Sequence, residues 1–123
     1  NLLLLFLLTA IRLSGQITPQ NESKVILTEK AKIEYLIRSV ENLKDATFFR
    51  NGTYYDSHQA AAHLRMKLER AGNRIKTAND FIENIASCSS VTGVPYRIRF
   101  SDGKEIETRV FFMNKLNELE SDQ

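Results

Sequence analysis

The chain has 123 residues, 42% of them hydrophobic and 26% charged, with five glycines and two prolines; this excludes disordered, collagenous or low-complexity sequence and leaves room for one domain. A single cysteine, Cys88, excludes a disulfide or thiolate metal cluster within these residues, and His58 and His63, five apart, miss the i,i+4 spacing of a helical zinc pair. The formal charge of +2 is too small to point to nucleic acid.

Leu2 to Leu8 is wholly apolar and runs on through Thr9, Ala10 and Ile11. That is roughly half the length of a membrane span and matches the apolar centre of a secretory signal. Small residues Ser14 and Gly15 follow, then the polar stretch QITPQNESK. Residues 1–15 are therefore expected to be a signal peptide, incomplete at its start, and 16–27 a flexible segment. Residues 28–120 are expected to form one domain in the periplasm or secreted, with no stable insertion in a membrane. A buried strand or helix in an intact intracellular protein is the competing reading of Leu2–Leu8. Without residues 1–15 the formal charge falls from +2 to +1, because Arg12 is lost.

Thr28 precedes a helical pattern of Ile33, Leu36, Ile37, Val40 and Leu43, with Lys32, Glu34, Arg38 and Glu41 on the wet face. Thr47-Phe48-Phe49-Arg50, then Asn51-Gly52, then Thr53-Tyr54-Tyr55 predict a β-hairpin, since both turn residues tolerate positive φ. Asp56 or Ser57 caps a second helix with a stripe of Ala60, Ala61, Leu64, Leu68 and Ala71, and Gly72 ends it. Thr77 and Asp80 form a capping box ahead of a third, short helix bearing Phe81, Ile82, Ile85 and Ala86. Ser87 to Pro95 is loop. Tyr96 to Phe100 alternates as a strand, and Ser101 to Lys104 turns it into a return strand, Glu105 to Glu107. Thr108 is expected to cap a last helix with Val110, Phe112, Leu116 and Leu119 inward. The fold class is α+β, about four helices on a small antiparallel sheet made of two hairpins.

On the second helix, His63, Lys67, Arg70 and Arg74 share one stripe beside the apolar face, provided the helix runs that far. Basic side chains there bury their stems and hold their heads at a rim. With Arg50 from the hairpin, they would form a cationic pocket for a carboxylate, a phosphate or an acidic peptide. The competing reading, which the commonness of surface basic stripes favours, is a solvated flank that pairs with Glu69, Asp80 or Glu83. His63, with an ordinary pKa of about 6.5, suits proton transfer, and the Ser87–Gly93 loop offers hydroxyls. However, no G-x-S-x-G elbow is present and no carboxylate stands at a spacing that would orient the histidine. Cys88 lies at the negative end of the third helix, which does not favour a reactive thiolate.

Phe49-Arg50-Asn51-Gly52 with Tyr54 and Ala61-x-His63-Leu64-Arg65-x-Lys67 together resemble a known pattern. So do Arg74-Ile75-x-Thr77-Ala78-x-x-Phe81-Ile82 and Ala86-Ser87-x-Ser89-Ser90-x-x-Gly93-x-Pro95-Tyr96. In combination they resemble the YfeK-like family of small exported bacterial proteins, a domain of unknown function, over about residues 28 to 116. The resemblance implies a signal peptide and export, and carries over no reaction. Some members have a cysteine near the first hairpin, where this chain has Ala46 and Asp56, so no disulfide or redox pair carries over.

The residues put forward as ligand-binding are Arg50, Asn51, His63, Lys67, Arg74, Ser90 and Tyr96, with no metal site, no cofactor and no assigned catalytic residue. The leading expectation is a non-enzymatic binding module for an anionic small molecule or an exported protein, with His63 strengthening binding below about pH 6.5. The alternatives are a small hydrolase using His63 with Ser89 or Ser90, and an inhibitor or immunity protein docking through Tyr54 or Tyr55.

Overall fold

A computed structural model describes Gly15 and residues 26–123. The expected signal peptide, Gly15 apart, and the segment through residue 25 lie outside the described residues. The first helix, α1 (Glu29–Glu41), starts where the Thr28 hydroxyl accepts a hydrogen bond from the Ala31 amide at 3.1 Å, satisfying one of the donors a helix start leaves open. It buries Ile33, Leu36, Ile37 and Val40, and each such side chain contributes about 1.5–3 kcal/mol of hydrophobic stabilisation.

Strands β1 (Thr47–Arg50) and β2 (Thr53–Tyr55) pair antiparallel, Arg50 opposite Thr53 and Phe48 opposite Tyr55. Asn51 at φ 50° and Gly52 at φ 77° make the turn between them, matching the twist of the strands. Helix α2 (Ser57–Ala71) opens with a capping box, Asp56 accepting from the Gln59 amide and the Gln59 side chain from the Asp56 amide. Gly72, at φ 55°, breaks it, and a short 3-10 turn, Gly72–Arg74, follows.

A second capping box, Thr77 with Asp80, starts α3 (Ala78–Phe81), as expected. The helix then widens into a π-helical turn, Ile82–Ala86, a feature that apolar spacing alone does not announce. Strands β3 (Arg97–Arg99) and β4 (Glu105–Glu107) form the second hairpin. β1 pairs antiparallel with β3, so the order is β2-β1-β3-β4. Helix α4 (Thr108–Ser121) closes the chain. The α+β class and both hairpins are thus as the sequence predicts.

α1 packs against α2, α3 and α4, and the core centres on Leu36, Ile37, Val40, Phe81, Ile82, Ile98 and Phe112. Phe81 and Phe112 meet edge to face, with centroids 5.8 Å apart. The last helix departs from expectation in two ways. Glu107 occupies the cap position without a side-chain bond, while Thr108 is buried and its hydroxyl donates toward the Ala86 and Tyr96 carbonyls at 2.8 and 3.2 Å. Pinning Thr108 inward turns Phe111, Phe112 and Leu116 to the core and leaves Val110 exposed and Leu119 only half-buried.

Candidate functional site

β1 and α2 bring Arg50 and His63 together. A guanidinium Nη of Arg50 lies 3.5 Å from His63 Nδ1. Guanidinium nitrogens only donate, so Nδ1 accepts and the proton of the neutral imidazole sits on Nε2. Neither that Nε2 nor Arg50 Nε, both buried atoms, has a hydrogen-bond partner in the protein. Both residues line a small cavity of about 30 Å³ whose remaining walls include Val40, Phe48, Phe49, Tyr55, Tyr96 and Phe112. Burial, followed by the charges of Arg50, Lys67 and Arg70, pushes the His63 pKa from 6.5 down to about 4. The histidine is therefore neutral at pH 6.5, and the expected gain in binding as pH falls through that value is corrected: the proton arrives more than two units lower.

Lys67 sits one turn further along α2, and its ammonium is fully engaged. It donates to the Ile85 carbonyl at 2.8 Å, the Cys88 carbonyl at 3.3 Å and the Tyr96 hydroxyl at 3.0 Å, which uses all three protons. It also lies 5.0 Å from the Tyr96 ring centre. The π-helical turn explains the first bond, because a helix end leaves carbonyls without backbone partners. Thr108 caps Ala86 from the other side, and the Ser87 hydroxyl donates to the Ile82 carbonyl. Lys67 therefore contributes its field to the site and has no donor left for a ligand. Tyr96 is buried, with its hydroxyl on Lys67 and its ring 6.3 Å from that of His63.

Arg74 leaves the stripe. Gly72 ends α2 before it, so the four-residue spacing from Arg70 no longer holds, and Arg74 Nε donates to the Ala71 carbonyl at 3.1 Å. Together with Lys67, Arg70, Asn84 and Ser90 it lines an open depression of about 620 Å³ beside α2. The seven residues proposed from sequence thus fall into separate places. Arg50, His63 and Tyr96 line the inner cavity, Arg74 and Ser90 the outer depression, with Lys67 between them. Asn51 belongs to neither. Its amide donates to the Ser89 hydroxyl at 3.0 Å and accepts from the Thr92 hydroxyl at 2.7 Å, tying the first hairpin to the 87–95 loop.

The acids considered as partners for the stripe do not take it up. Glu83 pairs with Arg109, and Asp80 holds its own cap. Among the described residues Arg38, Arg65, Arg99 and Arg109 pair with carboxylates, whereas Arg50, Lys67, Arg70 and Arg74 pair with none. No group of three or more metal-ligating side chains occurs among the described residues. His63 has no hydroxyl partner there, and the Ser89 hydroxyl is engaged by Asn51 and by the Val91 and Thr92 amides.

The model of a family of unknown function, DUF5329, matches residues 27–120. The chain belongs to this family. The match runs from just before α1 to the last turn of α4 and takes in both hairpins. A relative from Salmonella typhimurium, named "Uncharacterized protein YfeK", is 46% identical over 68 residues, 55% of this chain and 57% of that protein. The matched stretch thus spans just over half the length of that relative. No solved structure matches the chain.

Sequence reasoning missed the apolar walls of the inner cavity. The sequence places Phe48 and Tyr55 in the first hairpin and Phe112 inward on the last helix, and only the tertiary fold brings them around Arg50 and His63. It also underrated Thr108, whose position at the start of a helix suggested a cap.

Proposed function

We propose that the domain is a non-enzymatic binding module, working outside the cytoplasm, that holds an anionic group at Arg50 and His63. The observation that carries this is the guanidinium of Arg50, which has no carboxylate partner among the described residues and a buried Nε without an acceptor. Leaving a buried donor unpaired costs about 1–3 kcal/mol, and an anion placed there would recover that cost. Lys67 and Arg70 add positive potential around the same spot, as their effect on His63 indicates. Arg74 and Ser90, on the outer depression, would meet whatever part of a larger ligand projects from the cavity. Export is supported by the apolar run Leu2–Leu8. The engaged Ser89 hydroxyl and the lack of a hydroxyl on His63 support binding without catalysis.

The test is an anion screen by thermal shift at low ionic strength with phosphate, sulfate, acetate and citrate. At least one anion should raise Tm saturably, by about 2.7 kcal/mol of added stability at one hundred times its Kd. Arg50→Ala should abolish the rise, while Lys30→Ala with Lys76→Ala, on the wall of a separate depression, should leave it intact. A shift that never saturates, or one that is equal in all three proteins, overturns the reading.

A further inference from the structure

We infer that the inner cavity takes a small monocarboxylate, held by the free N–H of Arg50 Nε, with its short apolar end against Val40, Phe48 and Phe112. This rests on the anion-binding reading above and names its ligand class. Three observations carry it. The buried side-chain atoms on the lining that lack a partner are donors: Arg50 can only donate, and its contact with Nδ1 leaves the His63 proton on Nε2. Of the hydroxyls on the lining, that of Tyr96 accepts from Lys67 and that of Thr108 donates to two carbonyls. A ligand that only accepts is what such a lining fits.

Size and wall chemistry narrow the choice further. About 30 Å³ has room for one or two water-sized groups, which suits the end of formate or acetate and excludes a sugar or a nucleotide. A phosphate would fill the small space with polar oxygens on every side and press some of them against aromatic and aliphatic walls, where unpaired polar atoms are costly. A carboxylate has no proton to place, and its charge balances Arg50.

The experiment is a titration of the full ¹⁵N-labelled chain at pH 6.5 and constant ionic strength with acetate, formate, inorganic phosphate and bulky pivalate. The Arg50 Nε–H and His63 Nε2–H resonances report the cavity directly. Acetate and formate should move both and saturate, with pivalate and phosphate at least tenfold weaker. Arg50→Lys keeps the charge but loses the Nε–H, and should weaken acetate at least tenfold, while Lys30→Ala with Lys76→Ala, on the separate depression, should change it by less than threefold. Arg50→Gln serves in its place if the lysine variant loses the native amide spectrum. Phosphate saturating these resonances as tightly as acetate overturns the monocarboxylate inference and leaves the anion-binding reading standing. Acetate binding undiminished in the Arg50 variants likewise overturns the inference. If no anion moves either resonance, both fall.

Discussion

Replacing His63 with Gln should flatten the dependence of stability on pH between 7 and 5. In the folded chain burial, then the charges of Arg50, Lys67 and Arg70, hold the His63 pKa near 4, against 6.5 for the free side chain. Between those values the unfolded chain binds a proton that the folded one refuses, so stability is complete above about pH 6.5 and drains away as the pH falls toward 4. From pH 7 to 5 the full conversion is about 2 kcal/mol at 1.36 kcal/mol per unit. Solvent reaches part of the ring, and screening reduces this to about 1 kcal/mol. For a domain of this size that is a fall in Tm of roughly 5 °C. The assay is urea denaturation of the wild type and His63→Gln at pH 7, 6 and 5, in buffers free of carboxylates. Every other titrating group is shared by the two proteins, so the difference in slope belongs to position 63. Parallel losses of stability in the two proteins would refute the argument.

Lys67→Met should cost about 2–4 kcal/mol in urea denaturation, because it strips the donor from the Ile85 and Cys88 carbonyls and the Tyr96 hydroxyl; a loss under about 0.5 kcal/mol would show that the clasp is not holding the end of α3. Asn51→Gly preserves the positive φ of the turn and removes the bonds to Ser89 and Thr92. It should cost about 1 kcal/mol and speed hydrogen exchange of the Val91 and Thr92 amides, with the amides of β1 unchanged.

What the sequence made legible was local. Thr28, Asp56 and Thr77 announce helix starts because a side-chain oxygen three residues before a free amide is a short-range fact. Asn51-Gly52 announces its turn because few pairs accept that backbone. What stayed hidden depends on partners distant in the chain. Nothing near Lys67 indicates that carbonyls 18 and 21 residues away will consume its protons. Arg74 belongs to the stripe only if α2 runs past Gly72, and the helix ends there. Arg50 and His63 were singled out because no cap, turn or core role explained them, and they do meet. Their aromatic enclosure was invisible because Phe48 and Phe112, 64 positions apart, look like ordinary core residues when taken singly.

The sheet order leaves β2 and β4 at its two rims, each three residues long. A stray strand reaching either rim finds only a few rungs, and on β4 it meets the carboxylates of Glu105 and Glu107. Open backbone groups on longer, flatter rims recruit foreign chains into growing sheets. Here the strand that carries Arg50 is an inner one, paired on both sides, so a foreign chain that added at a rim would leave the cavity wall untouched.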